Sequence, residues 1–366
     1  MSVLKWLNPD LARVTLYEPG RPIEEVAREQ GLDPAAIAKL ASNENPLGAS
    51  RRARQALRQA IDEAHLYPDG NAFYLREKLA QFHQVAPDQI IFGNGSNELL
   101  EFLGHAFLGP GRSVVFSQYT FVIYKMMATM FGATAVEVQA RNHGHNLVAM
   151  RRAVRPDTSL VFVCNPNNPT GTFVGTRQVR DFVDRLPADT LPVFDEAYAE
   201  ICLGRMPDTL KLVREGRHCL VLRSFSKAYG LAGLRIGYGI GPAPVIEALE
   251  RARQPFNTNR LAQAAALAAL DDQGFVRRSR HLFRQGRALF ERLCRELQLE
   301  FVRTFANFML VKVGDAARIN RELTKRGLIV RPMAGYGLPE WLRISFGTMA
   351  QNERLAAALR ELCRHG

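Results

Sequence analysis

Ser224-Phe225-Ser226-Lys227-Ala228-Tyr229-Gly230-Leu231-Ala232-Gly233-Leu234-Arg235 follows closely on the apolar run Cys219–Leu222. A short β-rich run that ends in small residues and a lysine reads as a buried strand delivering an amine to its carboxyl end. Flanked by small residues, that amine can be desolvated enough to lose its proton, as Schiff-base chemistry requires of a lysine nucleophile. Arg235, eight residues on across a glycine-containing loop, can return a permanent charge to the same pocket. Only eight of the 48 basic residues are lysines, so a lysine inside a motif carries more weight here than an arginine. A lone lysine is still most often a solvated side chain, and the neighbouring segments decide.

Working outward, six more short runs rich in valine, isoleucine and phenylalanine alternate with helical stretches: Ile90–Phe92, Ser113–Ser117, Thr134–Val138, Ser159–Val163, Pro192–Phe194 and Arg235–Ile240. Seven strands alternating with helices predict an α/β unit, a mostly parallel sheet covered on both faces. Ligands of such sheets sit beyond the carboxyl ends of the strands. After Pro255 the pattern changes to long amphipathic helices over about 259–298, then Phe308–Val313, Ile329–Arg331, Leu342–Phe346 and a terminal helix. These features predict a smaller α+β domain. The expected division is 46–255 for the large domain and 256–366 for the small one, with 1–45, which carries Pro19-Gly20, packing on the small domain.

Three other segments fall at predicted strand ends. Phe92-Gly93-Asn94-Gly95-Ser96-Asn97 runs through glycines into a helix start, where unpaired N–H groups suit a phosphate, although a plain strand-to-helix turn has the same look. Cys164-Asn165-Pro166-Asn167-Asn168-Pro169-Thr170-Gly171 is a rigid turn that can present the Asn168 amide to a ring hydroxyl. Val193-Phe194-Asp195-Glu196-Ala197-Tyr198 is a buried strand ending in an acid, able to pair with a ring N–H⁺ or a metal.

Composition narrows the classes. The chain has 366 residues, 47% hydrophobic and 23% charged, an ordinary globular balance. The net charge of +12 comes from scattered helical arginines, such as Arg51, Arg52, Arg54 and Arg58, without the aromatic signature of a nucleic-acid binder. The longest apolar run, Leu261–Leu270, is too short for a membrane span, and Met1–Asp10 lacks the layout of a signal peptide. Five irregularly spaced cysteines form no metal-ligand motif and suit a reducing cytoplasm. Ser224-Phe-Ser-Lys227 also spells the S-x-x-K of acyl-serine hydrolases, but neither S-D-N nor K-T-G accompanies it. No G-K-[ST] phosphate loop exists, and Gly93-Asn-Gly95 lacks a third glycine for a dinucleotide site.

The ordered set Asn165-Pro-Asn-Asn-Pro-Thr-Gly171, Asp195-Glu-Ala-Tyr198, Ser224-Phe-Ser-Lys227 and Gly233-Leu-Arg-Ile-Gly-Tyr238 resembles the fold-type I pyridoxal-phosphate aminotransferases. Lys39–Gly48, Gly93–Glu98 and Leu342–Thr348 make it similar to the histidinol-phosphate aminotransferases within them. That resemblance spans about residues 38–350. It implies a homodimer with shared sites that moves an amino group, by a ping-pong route, between L-histidinol phosphate and 2-oxoglutarate. Lys227 would hold pyridoxal 5′-phosphate and shuttle a proton. Asp195 would face the ring nitrogen, and Asn168 and Tyr198 the ring oxygen. Gly95, Ser96, Asn97, Ser224, Ser226 and Arg235 would grip the phosphate, joined by Tyr67 from the other subunit unless Tyr67 merely flanks a turn. Phe121, with Tyr119 as the competing assignment, would stack on the ring. Arg343, Arg331 and Asn43 would meet substrate, Arg331 being alternatively an exposed charge. Relatives acting on aromatic amino acids, a threonine-phosphate decarboxylase and regulatory proteins built on this fold share many of these motifs. About 45 residues ahead of the fold leave no room for a DNA-binding module of the regulatory kind.

Overall fold

The computed structural model describes residues 3–17 and 19–363. The expected units 1–45 and 256–366 include residues 1, 2, 18 and 364–366, which lie outside the described residues. Thirteen strands are described, in three sheets: β1 (Ala38–Lys39), β2 (Ile90–Gly93), β3 (Ser113–Ser117), β4 (Thr134–Val138), β5 (Thr158–Cys164), β6 (Leu191–Asp195), β7 (Leu220–Ser224), β8 (Gly237–Ile240), β9 (Phe301–Val302), β10 (Phe308–Lys312), β11 (Leu328–Ile329), β12 (Arg331–Pro332) and β13 (Trp341–Ser345).

The main sheet has seven strands in the order β2-β8-β7-β6-β5-β3-β4. Pairs from β7 through β4 are parallel, and only β8 runs against its neighbours. Because both faces are covered, β5 and β6 are apolar almost throughout rather than alternating with polar residues. Alternation instead divides two cores. Val115, Val161, Val163, Phe194 and Val221 enter the cluster shared with the helices Phe73–His83, Arg260–Leu270 and Gln273–Glu296. Val114, Phe116, Leu160, Phe162, Val193 and Leu222 face the helices Ser96–Phe107 and Ile123–Met130. The edge strand β4 is the only one of the seven with several exposed residues, as an edge allows.

From β3 the chain steps outward to β4, then returns to place β5 on the other side of β3. The carboxyl ends of β3 and β5 therefore splay their following loops apart and open a crevice. Since β2 and β7 both run antiparallel to β8, the carboxyl ends of β2, β3, β5, β6 and β7 lie along one edge of the sheet. The four motif segments leave from that edge.

A second sheet, β12-β13-β10-β9, is antiparallel, and β1 pairs in parallel with β11. The helices expected over about 259–298 are Arg260–Leu270 and Gln273–Glu296, separated at Asp271-Asp272, where the Asp272 carboxylate caps the second by accepting the Phe275 N–H (3.0 Å). One detail differs from the sequence reading. The run expected as one strand, Ile329–Arg331, is divided between two sheets, with Ile329 paired to Lys39 and Arg331 to Arg343.

Candidate active site

Beyond the strand ends lies a cleft of about 320 Å³ into which β2, β5, β6 and β7 deliver side chains, joined by the 41–44 segment and by Arg331 and Arg343 of the second sheet. At one end is an anion cradle. The chain leaves β2 through Gly95, whose φ of +81° suits glycine, and enters the helix Ser96–Phe107 with no side chain capping its first N–H groups. A Cβ on Gly95 would stand 2.2 Å from Arg235 Nη2, so the missing side chain makes room for the guanidinium. Arg235 itself adopts a left-handed φ of +55° at the end of a short turn, and β8 starts only at Gly237 rather than at Arg235. Its Nη1 donates to the Ala232 carbonyl (3.0 Å) and lies 3.5 Å from Ser226 Oγ. Ser224 Oγ accepts the Ser226 N–H (3.1 Å), which orients the Ser224 hydroxyl at the mouth of β7.

Asp195, the last residue of β6, is buried and lines the same cleft. One carboxylate oxygen accepts the Tyr124 hydroxyl (2.8 Å) and the other the Ala197 N–H (3.3 Å). Burial pushes its pKa above the usual carboxylate range, while these two donors and the Lys227 charge hold it down.

Lys227 Nζ, half-buried, donates to the Ser42 carbonyl (3.1 Å) and stands 5.7 Å from the centre of the Tyr198 ring. Desolvation first, then the charge of Arg343 and to a smaller extent that of Arg235, lowers its pKa from 10.5 to about 8, against the opposing pull of Glu44 and Asp195. At neutral pH about one amine in ten is then uncharged, against roughly one in a few thousand for a free lysine. The Tyr198 hydroxyl accepts Asn43 Nδ2 (3.0 Å), and burial keeps that phenol protonated. Asn43, at φ +54°, is tied by Ser345 Oγ, which donates to its Oδ1 (2.7 Å) and accepts its N–H (2.9 Å).

Arg343 is buried, with Nη1 donating to Asn168 Oδ1 (2.6 Å), Nη2 to the Ala41 carbonyl (2.5 Å), and Nε without a partner. Arg331 lines the same end of the cleft, its guanidinium carbon 5.8 Å from the Tyr17 ring centre, with Tyr336 close by.

Of the residues singled out from sequence, Lys227, Asp195, Tyr198, Asn168, Ser96, Asn97, Phe121, Ser224, Ser226, Arg235, Arg343, Arg331 and Asn43 all line this one cleft. Gly95 sits behind the cradle. Phe121 rather than Tyr119 forms the wall; Tyr119 lies against His143 at 5.8 Å. Tyr67 is outside, 79% exposed and stacked on Phe256 at 4.9 Å in a separate surface depression. Sequence reading missed Ser42, Tyr17, Tyr336 and Tyr124. Only Tyr124 left a signal, lying three residues beyond Phe121 at a helix start, where that spacing returns a side chain to the same side.

Comparisons with known proteins agree with this geometry. Residues 35–359 match the model of the family described as aminotransferase class I and II. A histidinol-phosphate aminotransferase of Akkermansia muciniphila is 48% identical over 99% of this chain and 100% of its own length. The crystal structure of histidinol-phosphate aminotransferase from Sinorhizobium meliloti in complex with pyridoxal-5′-phosphate superposes with a TM-score of 0.87 at 28% identity, covering 98% of each chain. Aspartate aminotransferase from Thermus thermophilus with maleate gives 0.82 at 26% identity, over 98% of this chain and 99% of that one. The chain belongs to the class I and II aminotransferases and, within that family, to the histidinol-phosphate aminotransferases.

Proposed function

We propose that this protein transfers the amino group of L-histidinol phosphate to 2-oxoglutarate, yielding imidazole acetol phosphate and glutamate in histidine biosynthesis, with pyridoxal 5′-phosphate held on Lys227. One observation carries the assignment: a single cleft presents a lysine amine of depressed pKa between a cradle for a dianion, built round Arg235, and the pair Arg331 and Arg343. The donor set fits the cofactor. Helix N–H groups, two serine hydroxyls and Arg235 suit its phosphate, and the vacancy a Gly95 Cβ would fill lets the guanidinium approach. Asp195 suits a protonated ring nitrogen, and the Asn168 amide and Tyr198 phenol suit a ring oxygen. When bound, pyridoxal 5′-phosphate supplies the aldehyde that receives the amino group and a ring that spreads the electron pair left on the substrate carbon.

The protein's own groups do the rest. Once the donor's amine has displaced it from the cofactor, the neutral Lys227 amine would take the proton from the amino-bearing carbon of the donor and deliver it to the cofactor's aldehyde carbon, where the amino group stays. The Ser42 carbonyl orients that amine from the far side of the cleft. Asp195 stays ionised opposite the ring nitrogen, while Asn168 and Tyr198 hold the ring oxygen. Histidinol phosphate carries a phosphate and no carboxylate, whereas glutamate carries two carboxylates, so one pocket must accept both kinds of anion. Planar guanidinium groups at Arg343 and Arg331 suit each of them.

The test is a panel of L-histidinol phosphate, L-phenylalanine, L-tyrosine and L-threonine phosphate, each with 2-oxoglutarate, read as glutamate formed. Preference for histidinol phosphate supports the assignment, and preference for phenylalanine moves it to the aromatic aminotransferases. Capture of pyridoxal phosphate by the apoprotein should quicken about tenfold per pH unit up to pH 8 and then level off, because the attacking form is the unprotonated amine. Stopped-flow absorbance checks this, and a rate still climbing steeply beyond pH 9 would contradict the depressed pKa.

The working unit we propose is a homodimer. Tyr67 lies outside its own cleft, amid exposed Leu66, Phe73, Tyr74 and Phe256, which supports a reading in which it reaches the neighbouring subunit's phosphate cradle. Subunits carrying Tyr67→Phe mixed one to one with subunits carrying Lys227→Ala should regain activity beyond the sum of the two, up to about a quarter of wild type, since each mixed dimer holds one intact site. A fully active monomer in sedimentation at assay concentration would overturn the shared site. Among the described residues no helix is long and apolar enough to cross a membrane. Five free cysteines, four of them buried, support a reducing, cytoplasmic setting.

We read residues 46–255 as the cofactor-binding domain, 256–366 as the small domain and 1–45 as a segment packing on the small domain, of which Ser42 and Asn43 line the cleft.

A further inference from the structure

Tyr124 stands at the second position of the helix Ile123–Met130, fully buried and outside the lining of the cleft. Its ring lies parallel to Phe162 of β5 at 4.4 Å and meets Phe121 edge-on at 5.8 Å. Its hydroxyl donates to Asp195 Oδ2 at 2.8 Å. One buried side chain thus touches both the acid at the end of β6 and the aromatic wall of the cleft. A tyrosine is a costly filler in such a place unless its hydroxyl has a partner, and here the partner is the one carboxylate whose ionisation the reaction needs.

We propose that Tyr124 is a positioning residue, its hydroxyl fixing the plane of the Asp195 carboxylate and its ring edge holding Phe121 in the cleft wall. The proposal rests on the role given above to Asp195. A carboxylate with only the 3.3 Å bond from the Ala197 N–H could swing about its last torsion; the phenol pins the second oxygen and leaves the remaining lone pairs toward the cleft. Burial drives the Tyr124 phenol well above its ordinary pKa, so it remains a donor throughout the working range. The other titratable groups around Asp195 are the Cys164 thiol on β5, which burial keeps protonated, the Tyr198 phenol after β6, and the Lys227 amine after β7. Only Lys227 among them changes charge near neutrality, around pH 8 rather than on the acid side.

Tyr124→Phe deletes one oxygen and keeps the stack on Phe162. Measured by fluorescence titration of apoprotein, its affinity for pyridoxal phosphate should fall about tenfold, and kcat should fall by a similar factor with KM for glutamate within about twofold. The acid limb of the kcat profile should move to higher pH, because loss of the phenol donor raises the Asp195 pKa. In an Asp195→Asn background the same substitution should change neither cofactor affinity nor kcat by more than about twofold. Melting temperature is followed for every variant, so that a folding defect is seen separately from a shift in the acid limb. If Asp195→Asn is crippled while Tyr124→Phe matches wild type in affinity, kcat and pH profile, the positioning role is overturned and the role of Asp195 stands. Equal losses from Tyr124→Phe in both backgrounds would also overturn it, since the tyrosine would then act independently of the carboxylate. Near-normal turnover by Asp195→Asn would instead overturn the underlying assignment of Asp195.

Discussion

Lys227→Ala should lose amino transfer by about 10⁴-fold or more while keeping its fold. Two functions go at once, the nucleophile that holds the cofactor and the base that moves the proton, and positioned acid–base groups alone contribute about 10²–10⁴-fold. No packing argument competes with this. Lys227 is half-buried, and its one hydrogen bond, to the Ser42 carbonyl, joins two segments also tied together by Asn45 Nδ2, which donates to the Ala228 carbonyl (3.0 Å). Glutamate formed from histidinol phosphate and 2-oxoglutarate, with far-ultraviolet circular dichroism as the control for folding, checks the result. Retention of more than a few per cent of wild-type turnover would remove Lys227 from the chemistry.

Arg343→Lys should lower kcat/KM for histidinol phosphate and for glutamate together, by roughly 30- to 150-fold, equivalent to about 2–3 kcal/mol of transition-state stabilisation. The guanidinium is aimed by two bonds, to Asn168 Oδ1 and the Ala41 carbonyl, and keeps a buried Nε with no partner, so a planar fork stands ready for an anion. A lysine supplies a point charge without the fork. The substitution keeps the positive charge that helps depress Lys227, so the amine should still titrate near pH 8. Arg343→Gln removes that charge, and the Lys227 pKa should rise. Steady-state kinetics on both substrates measure the first effect, and the pH dependence of cofactor capture measures the second. Equal kcat/KM for glutamate in wild type and Arg343→Lys would show that the fork is not used.

The inner strands β3, β5 and β6 of the main sheet were legible because parallel strands buried on both faces are apolar along most of their length. Leu160 to Cys164 and Leu191 to Phe194 have no other reading at that length. Strand-end chemistry was legible for the same reason. Once β6 and β7 are placed, Asp195 and Ser224 are the residues at which the chain leaves the sheet, and Lys227 follows within one turn. What the sequence hid was contact between distant segments. Ser42 lies 185 residues from the amine it orients, and Tyr124 lies 71 residues from Asp195. Neither partner can be read locally, although Tyr124 lies three residues beyond Phe121, because the partner is chosen by the way helices and strands stack. The split of 328–332 between two sheets was hidden likewise. Apolar periodicity reports burial, and the run is buried as far as Val330 and half-buried at Arg331 and Pro332, so only pairing with Lys39 and Arg343 separates the two halves. Tyr67 was visible as a residue and not as a place, since its proposed role depends on a surface of the neighbouring subunit.

All of the chemistry assigned above passes through one amine, and borohydride reduction of the holoprotein followed by peptide mass mapping tests that directly. Reduction should fix the cofactor irreversibly on the peptide containing Ser224-Phe-Ser-Lys227, with one label per chain and none on the other seven lysines. A label on any other lysine, or none at all on a protein that catalyses amino transfer, would contradict the account at its centre.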